Sequence, residues 1–242
     1  MIYLRPQVTS FVILFLERDG STFLISMLME HPDIQAGYER FAVLRQQGAG
    51  GKEQLEWLDG YLTPPMIGKK AALGFKTKLV DVLDMDGFTR LLQKKHCHII
   101  QMRRRNLVKA VVSRINARRL YEASGNWNLY KESDRMPPLS IDIQQFDQYL
   151  EERQQADQAL EEYVGGLGLP KIKVDYEDLL VKREMVMQEL FAFINVRPQQ
   201  LQGKTLKNTQ DNLREVVLNF DELRSYYIDT VYERMFDEVL VV

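Results

Sequence analysis

The chain has one cysteine, Cys97, among its 242 residues, so no intrachain disulfide can form and a reducing compartment suits it. It has only three histidines, and no His, Cys or Asp cluster carries the spacing of a metal site. Its longest apolar candidate for membrane insertion, Phe11–Leu16, is far too short to cross a bilayer. No secretory leader pattern opens the sequence, and with the lone cysteine this predicts a soluble, cytoplasmic protein. Internal repeats and low-complexity segments are absent, which sets aside repeat arrays and compositional tails. A net charge of −2 excludes neither an anionic nor a neutral ligand. The distribution of charge says more: residues 101–120 carry seven basic side chains and no acidic one.

What is present reads as strands alternating with helices. Phe11–Glu17 is an apolar run closed by a glycine turn, as a buried strand requires. Apolar residues at helical spacing follow over Ser21–His31, stopped by Pro32. Further strands are expected at Ala71–Phe75, His98–Met102 and Lys171–Asp175. Helices are expected at 52–62, 86–95, 106–120, 145–164, 182–194 and 221–240. The spans 40–70 and 121–144 are expected to hold variable loops, and the tail helix, with Leu223, Tyr227, Val231 and Met235 four apart, could pair with a second copy or dock on its own domain. This pattern predicts a single α/β domain over residues 1–242, a parallel sheet flanked by helices on both faces. Ligands of such sheets collect at the carboxyl ends of the strands.

Two segments stand at such ends. In Arg18-Asp19-Gly20-Ser21-Thr22, Gly20 allows a tight turn, the following N–H groups open a helix toward an anion, and two hydroxyls add donors. The lysine of an ATP- or GTP-binding loop is missing; the basic residue, Arg18, lies on the strand side instead. Taken alone, Ser21 reads equally well as a helix cap and Arg18 as a solvated charge. In the second segment three arginines, Arg103 to Arg105, end a strand, and Ser113 lies eight residues beyond Arg105, roughly 12 Å along a helix. An arginine fork and a hydroxyl so placed can close on a phosphate. The same run also reads as a solvated helix face or a nucleic-acid contact. Against the latter, Val108, Val111, Val112 and Ile115 commit one face to the core, and no aromatic residue is interleaved.

Together the two segments resemble the signature of the sulfotransferase superfamily, enzymes with a P-loop-like parallel sheet that use 3′-phosphoadenosine 5′-phosphosulfate (PAPS). The first family motif stands here as Arg18-Asp19-Gly20-Ser21-Thr22-Phe23-Leu24 with His31-Pro32 beyond it, and the second as Arg105-Asn106 and Ser113. Weaker echoes are Tyr176-Glu177-Asp178-Leu179-Leu180 and Asn219 to Leu223, so the likeness runs over most of the chain. The bacterial carbohydrate and nodulation-type members are the most similar.

The resemblance implies that Arg18 to Phe23 hold the 5′-phosphosulfate end of PAPS, with Phe23 where relatives place an aromatic against adenine. It implies that Arg105 and Ser113 hold the 3′-phosphate, and that no metal takes part. The reaction implied is in-line transfer of the sulfuryl group to a hydroxyl acceptor, a carbohydrate or glycolipid by family weight. The catalytic histidine of the cytosolic branch has no counterpart, because Lys76-Thr77-Lys78 stands in its place. Lys78 there can neutralise charge but is a poor base at neutral pH. The base position of the bacterial carbohydrate members falls on Glu39, which could equally pair with a surface cation. Trp127 reads as a platform for a sugar face or as packing on its own surface. The family's C-terminal stretch for the 3′-phosphate has only Lys204 and Lys207 as substitutes. Nucleic acid is not an expected partner. A nucleotide-binding kinase and a nucleic-acid module using residues 103–119 stand as alternatives.

Overall fold

The computed structural model describes residues 8–64, 70–129, 131–200 and 211–240. Five parallel strands, β1 (Thr9–Leu14), β2 (Ile34–Gly37), β3 (Ala72–Thr77), β4 (His98–Arg103) and β5 (Lys171–Asp175), form one sheet in the order β2-β3-β1-β4-β5. The chain leaves β1 toward one edge, builds β2 and β3, then crosses to the other side for β4 and β5. The carboxyl ends of β3, β1 and β4 therefore meet where the direction of winding changes, the crevice in which open sheets bind ligands. The helices in chain order are α1 (Ser21–Glu30), α2 (Arg40–Gln46), α3 (Gly51–Tyr61), α4 (Met85–Lys94), α5 (Leu107–Ser124), α6 (Ile143–Gly166), α7 (Tyr176–Val181), α8 (Arg183–Phe193), α9 (Phe220–Tyr226) and α10 (Glu233–Asp237).

Strand β1 is buried along its whole length, and its alternation divides the core. Phe11, Ile13 and Phe15 pack with Leu24 and Leu28 of α1 and Leu190 of α8 on one face. Val12 and Leu14 pack with Leu58 of α3, Phe88 of α4 and Leu160 of α6 on the other. A third cluster joins Val108, Val111 and Val112 of α5 to Phe146 of α6, Leu223 of α9 and Phe236 of α10.

Several expectations change. Residues 40–46 form a helix rather than open loop, tied to the expected helix, found at 51–61, by Gln54, whose side-chain amide donates to the carbonyls of Phe41 and Asp81. The edge strand β2, too short and too polar to show as a run, was not foreseen, nor was α7. The expected tail helix over 221–240 is two short helices. Asp229 adopts a left-handed φ of 61° between them, and Val231 is 78% exposed instead of lining the apolar stripe. Leu223, Tyr227 and Phe236 are spent on α5 and α6, so the tail docks on its own domain. Lys204 and Lys207 lie outside the described residues.

Gly74 in β3 lies against the Phe11 ring, where an added Cβ would come within 2.5 Å. Gly74→Ala is expected to destabilise the fold by about 1–3 kcal/mol through overpacking. Adding Phe11→Leu should make the two losses less than additive in urea titrations, because the smaller side chain relieves the same contact.

Candidate active site

The turn after β1 is built around two residues with left-handed backbone, Arg18 (φ 68°) and Gly20 (φ 81°). A Cβ on Gly20 would stand 2.3 Å from the Tyr176 ring, so only glycine fits there. Asp19, between them, is completely buried and points inward. Its carboxylate accepts the Leu16 N–H at 2.9 Å and pairs with Arg153 of α6. Arg153 in turn donates to the Glu17 carbonyl at 2.9 Å and to Asp157 at 2.8 Å. Burial pushes the Asp19 carboxyl up to about 6, with the Arg153 charge opposing the rise. Burial works against the Arg153 charge, but Asp19 and Asp157 outweigh it and raise its pKa. The Asp19 side chain is therefore turned inward as a brace for the turn.

Helix α1 opens at Ser21 with no side chain capping it, whereas Asp84, Asn106 and Asp142 cap α4, α5 and α6. Its leading N–H groups and the positive end of its dipole thus face the crevice uncapped. The Ser21 and Thr22 hydroxyls accept hydrogen bonds from the Lys76 ammonium at 3.2 and 2.8 Å. Lys76, paired in register with Ile13 of β1, has its side chain 1% exposed, against the Phe15 ring. Burial lowers its pKa, with Glu39 opposing. The lysine absent from the loop's own sequence thus enters from the neighbouring strand. Its signal in the sequence is a lysine inside an otherwise apolar strand.

Glu39, at the start of α2, lies 3.0 Å from Lys76 and 3.7 Å from Lys78, and Lys78 also reaches Asp81 at 3.6 Å. Glu39 and Lys78 thus gather beside Lys76, the side chain that reaches the loop hydroxyls. Arg18 turns the other way along the crevice. Its Nε donates to the Ser113 hydroxyl at 3.0 Å and its Nη1 to the Trp127 carbonyl at 3.1 Å. Burial and the adjacent Arg104 pull the Arg18 pKa down to about 10, which leaves it a cation at neutral pH. The two sequence segments therefore converge, through a contact between Arg18 and Ser113 that spacing alone could not reveal.

Arg105 does not share Ser113. Its guanidinium is half exposed and held by Asp175 at 3.1 Å and Asp178 at 2.7 Å. Arg103 also binds Asp175, Arg114 binds Glu17 and Glu152, Arg118 binds Glu122, and buried Lys109 binds Asp211. Carboxylates from other elements thus take up much of the basic run, which leaves a poor surface for a nucleic-acid backbone. Phe23 packs on the α1 face of the core with Arg183 over its ring at 5.3 Å. His31 is structural, its Nε2 donating to the Arg197 carbonyl at 2.9 Å while Nδ1 accepts the Asp33 N–H. Beyond Arg18 opens a cleft of about 820 Å³, lined by Glu17, Arg114, Tyr121, Trp127, Asp142 and Tyr149 among others. Tyr121 and Trp127 are stacked at its wall, ring centroids 4.4 Å apart, and both are exposed. Among the described residues no group of three or more His, Cys, Asp or Glu is placed to hold a metal ion, and no helix is long and apolar enough to cross a membrane.

No family model matches the chain. Nodulation protein H of Rhizobium tropici is 22% identical over 247 residues, covering 98% of this chain and 96% of that protein. The crystal structure of a sulfotransferase from Alicyclobacillus acidocaldarius superposes with a TM-score of 0.51 at 16% identity, covering 98% of both chains. That likeness establishes the fold, the P-loop-like parallel sheet with its surrounding helices. A mouse sulfotransferase, SULT7A1, complexed with PAP, is more distant, with a TM-score of 0.46 at 13% identity over 92% of this chain and 68% of that one.

Asp19→Asn keeps an acceptor for the Leu16 N–H but removes the charge facing Arg153. Unfolding in urea should show a loss of about 1.5–3 kcal/mol, because a buried charge-assisted contact is lost while Asp157 still holds Arg153. Equal stability would mean that the pair does not hold the turn.

Proposed function

We propose that the protein is a PAPS-dependent sulfotransferase that moves the sulfuryl group to a hydroxyl of a carbohydrate or glycolipid acceptor. The observation that carries the reading is the uncapped start of α1, ringed by Arg18, Lys76, Ser21 and Thr22 where β1, β3 and β4 end. Full-length similarity to nodulation protein H supports it. In this reading the loop N–H groups take the 5′-phosphosulfate. Ser113 and Arg105 take the 3′-phosphate, each exchanging a partner it holds in the free chain, Arg18 for Ser113 and Asp178 for Arg105.

The acceptor oxygen forms a bond to sulfur as the bond from sulfur to the bridging phosphate oxygen breaks, and 3′,5′-ADP leaves with the electron pair. The acceptor proton passes to the Glu39 carboxylate. Arg18 and the loop N–H groups face the oxygen on which negative charge grows, which lowers the barrier because they are already oriented. Lys76 brings a buried positive charge beneath the same oxygens through Ser21 and Thr22, and Lys78 keeps Glu39 in place. The cleft beside Trp127 is the proposed acceptor side. Its stacked aromatic pair offers an apolar face to a sugar ring, and the charged groups around it offer hydrogen bonds to hydroxyls. The lone buried cysteine fits a cytoplasmic setting.

Calorimetry separates this reading from a kinase: 3′,5′-ADP should bind more tightly than ATP, and the reverse order ends the proposal. With labelled PAPS and a panel of oligosaccharides, Lys76→Met should slow turnover about 10²-fold or more and also weaken 3′,5′-ADP binding, because the leaving 5′-phosphate carries the charge that Lys76 faces. Trp127→Ala should raise the acceptor KM and leave donor binding untouched; an unchanged KM would remove the cleft as the acceptor side.

A further inference from the structure

The three arginines that close β4 do not share one fate. Arg103 and Arg105 each end in carboxylates, Asp175 for both and Asp178 for the second. Arg104, between them, points to the opposite side by strand alternation and is 6% exposed. Its guanidinium carbon lies 4.9 Å from the centre of the Tyr176 ring, the ring that seats Gly20. Its Nη1 donates to the Arg18 carbonyl at 3.4 Å, a long contact, and its buried Nε has no hydrogen-bond partner. Among the described residues no carboxylate forms an ion pair with it, although Glu177 and Asp211 act on the same Tyr176 ring, and in the turn it meets another cation, Arg18.

Such an arrangement is costly. A guanidinium cannot shed its proton at neutral pH, and a buried charge without a counter-charge is strongly disfavoured. Chains that place a lysine in the phosphate loop keep their cation at the surface of the loop. Here a cation is set under the loop instead, in contact with the two elements that shape it, the Arg18 carbonyl and the ring behind Gly20. We propose that Arg104 is a fixed, uncompensated cation beneath the turn whose counter-charge is the bound donor's phosphosulfate or phosphate group, so that it sets anion affinity at the loop. It acts through the loop and is a positioning residue. The inference rests on the loop being the anion site of the proposed function, and it extends that function to a residue outside both recognised motifs.

The test compares the full-length protein with Arg104→Met and Arg104→Lys, using pyrophosphate and 3′,5′-ADP as probes in calorimetry and thermal melts. Arg104→Met should weaken binding of both probes about tenfold or more, the loss of a charge-assisted interaction. Its melting temperature without ligand should equal or exceed that of the parent, because an unpaired buried charge has been removed. Arg104→Lys, which keeps the charge, should retain most of the affinity. A lower melting temperature or failure to fold for Arg104→Met would make the guanidinium a structural brace and overturn the proposal. So would unchanged probe affinity, an Arg104→Lys variant as weak as Arg104→Met, or a parent protein that binds neither probe. Binding of pyrophosphate but not 3′,5′-ADP, lost in Arg104→Met, would uphold the inference while removing the donor assignment.

Discussion

The buried ion pair between Asp19 and Arg153 is the constraint on which the site rests. A turn that carries left-handed backbone at both Arg18 and Gly20 is not one the chain would hold unaided. Asp19 ties its start through the Leu16 N–H, and Arg153 fastens it to the long helix α6 through the Glu17 carbonyl and Asp157. Tyr176 closes the third side by filling the space where Gly20 lacks a side chain. With the turn fixed from the inside, the uncapped N–H groups at the start of α1 are held in place beside Arg18.

Electrostatics then divides the basic residues into two populations. Most of those counted between residues 101 and 120 are neutralised in place by acids from β5, α6, α7 and their own helix. The positive charges that gather at the loop, Arg18, Arg104 and Lys76, are buried or half-buried, and among the described residues only Lys76 forms an ion pair, with Glu39, which Lys78 shares. Water screens the first population and the protein interior protects the second, so the same number of charges counts for far more at the loop than on the helix. A small net charge and a strongly anion-directed crevice are therefore compatible.

Periodicity made the frame legible. β1 and the start of α1, β4 and α5, and β5 each carry an apolar rhythm that survives in the folded state, because their partners are the two core layers. What could not be read depends on neighbours. β2 is four residues with a polar Gln35 exposed at the sheet edge, and it exists because β3 offers a ladder. The tail has helical spacing, yet Asp229 breaks it so that Tyr227 and Phe236 can pack together on α5 and α6. In the site, the loop and Ser113 were visible as motifs, but motifs do not say which side chain meets which. Arg18 rather than Arg105 reaches Ser113, Asp19 turns inward, and the loop's cation arrives from β3.

One nucleotide sulfate donor is expected to span the start of α1 and Ser113, two turns into α5. A crystal structure of the complex with 3′,5′-ADP tests this most directly. The predicted result is a 5′-phosphate on the N–H groups of Gly20 to Thr22 and a 3′-phosphate on the Ser113 hydroxyl. A nucleotide bound elsewhere, or bound at the loop with its 3′-phosphate in solvent away from Ser113, would contradict it.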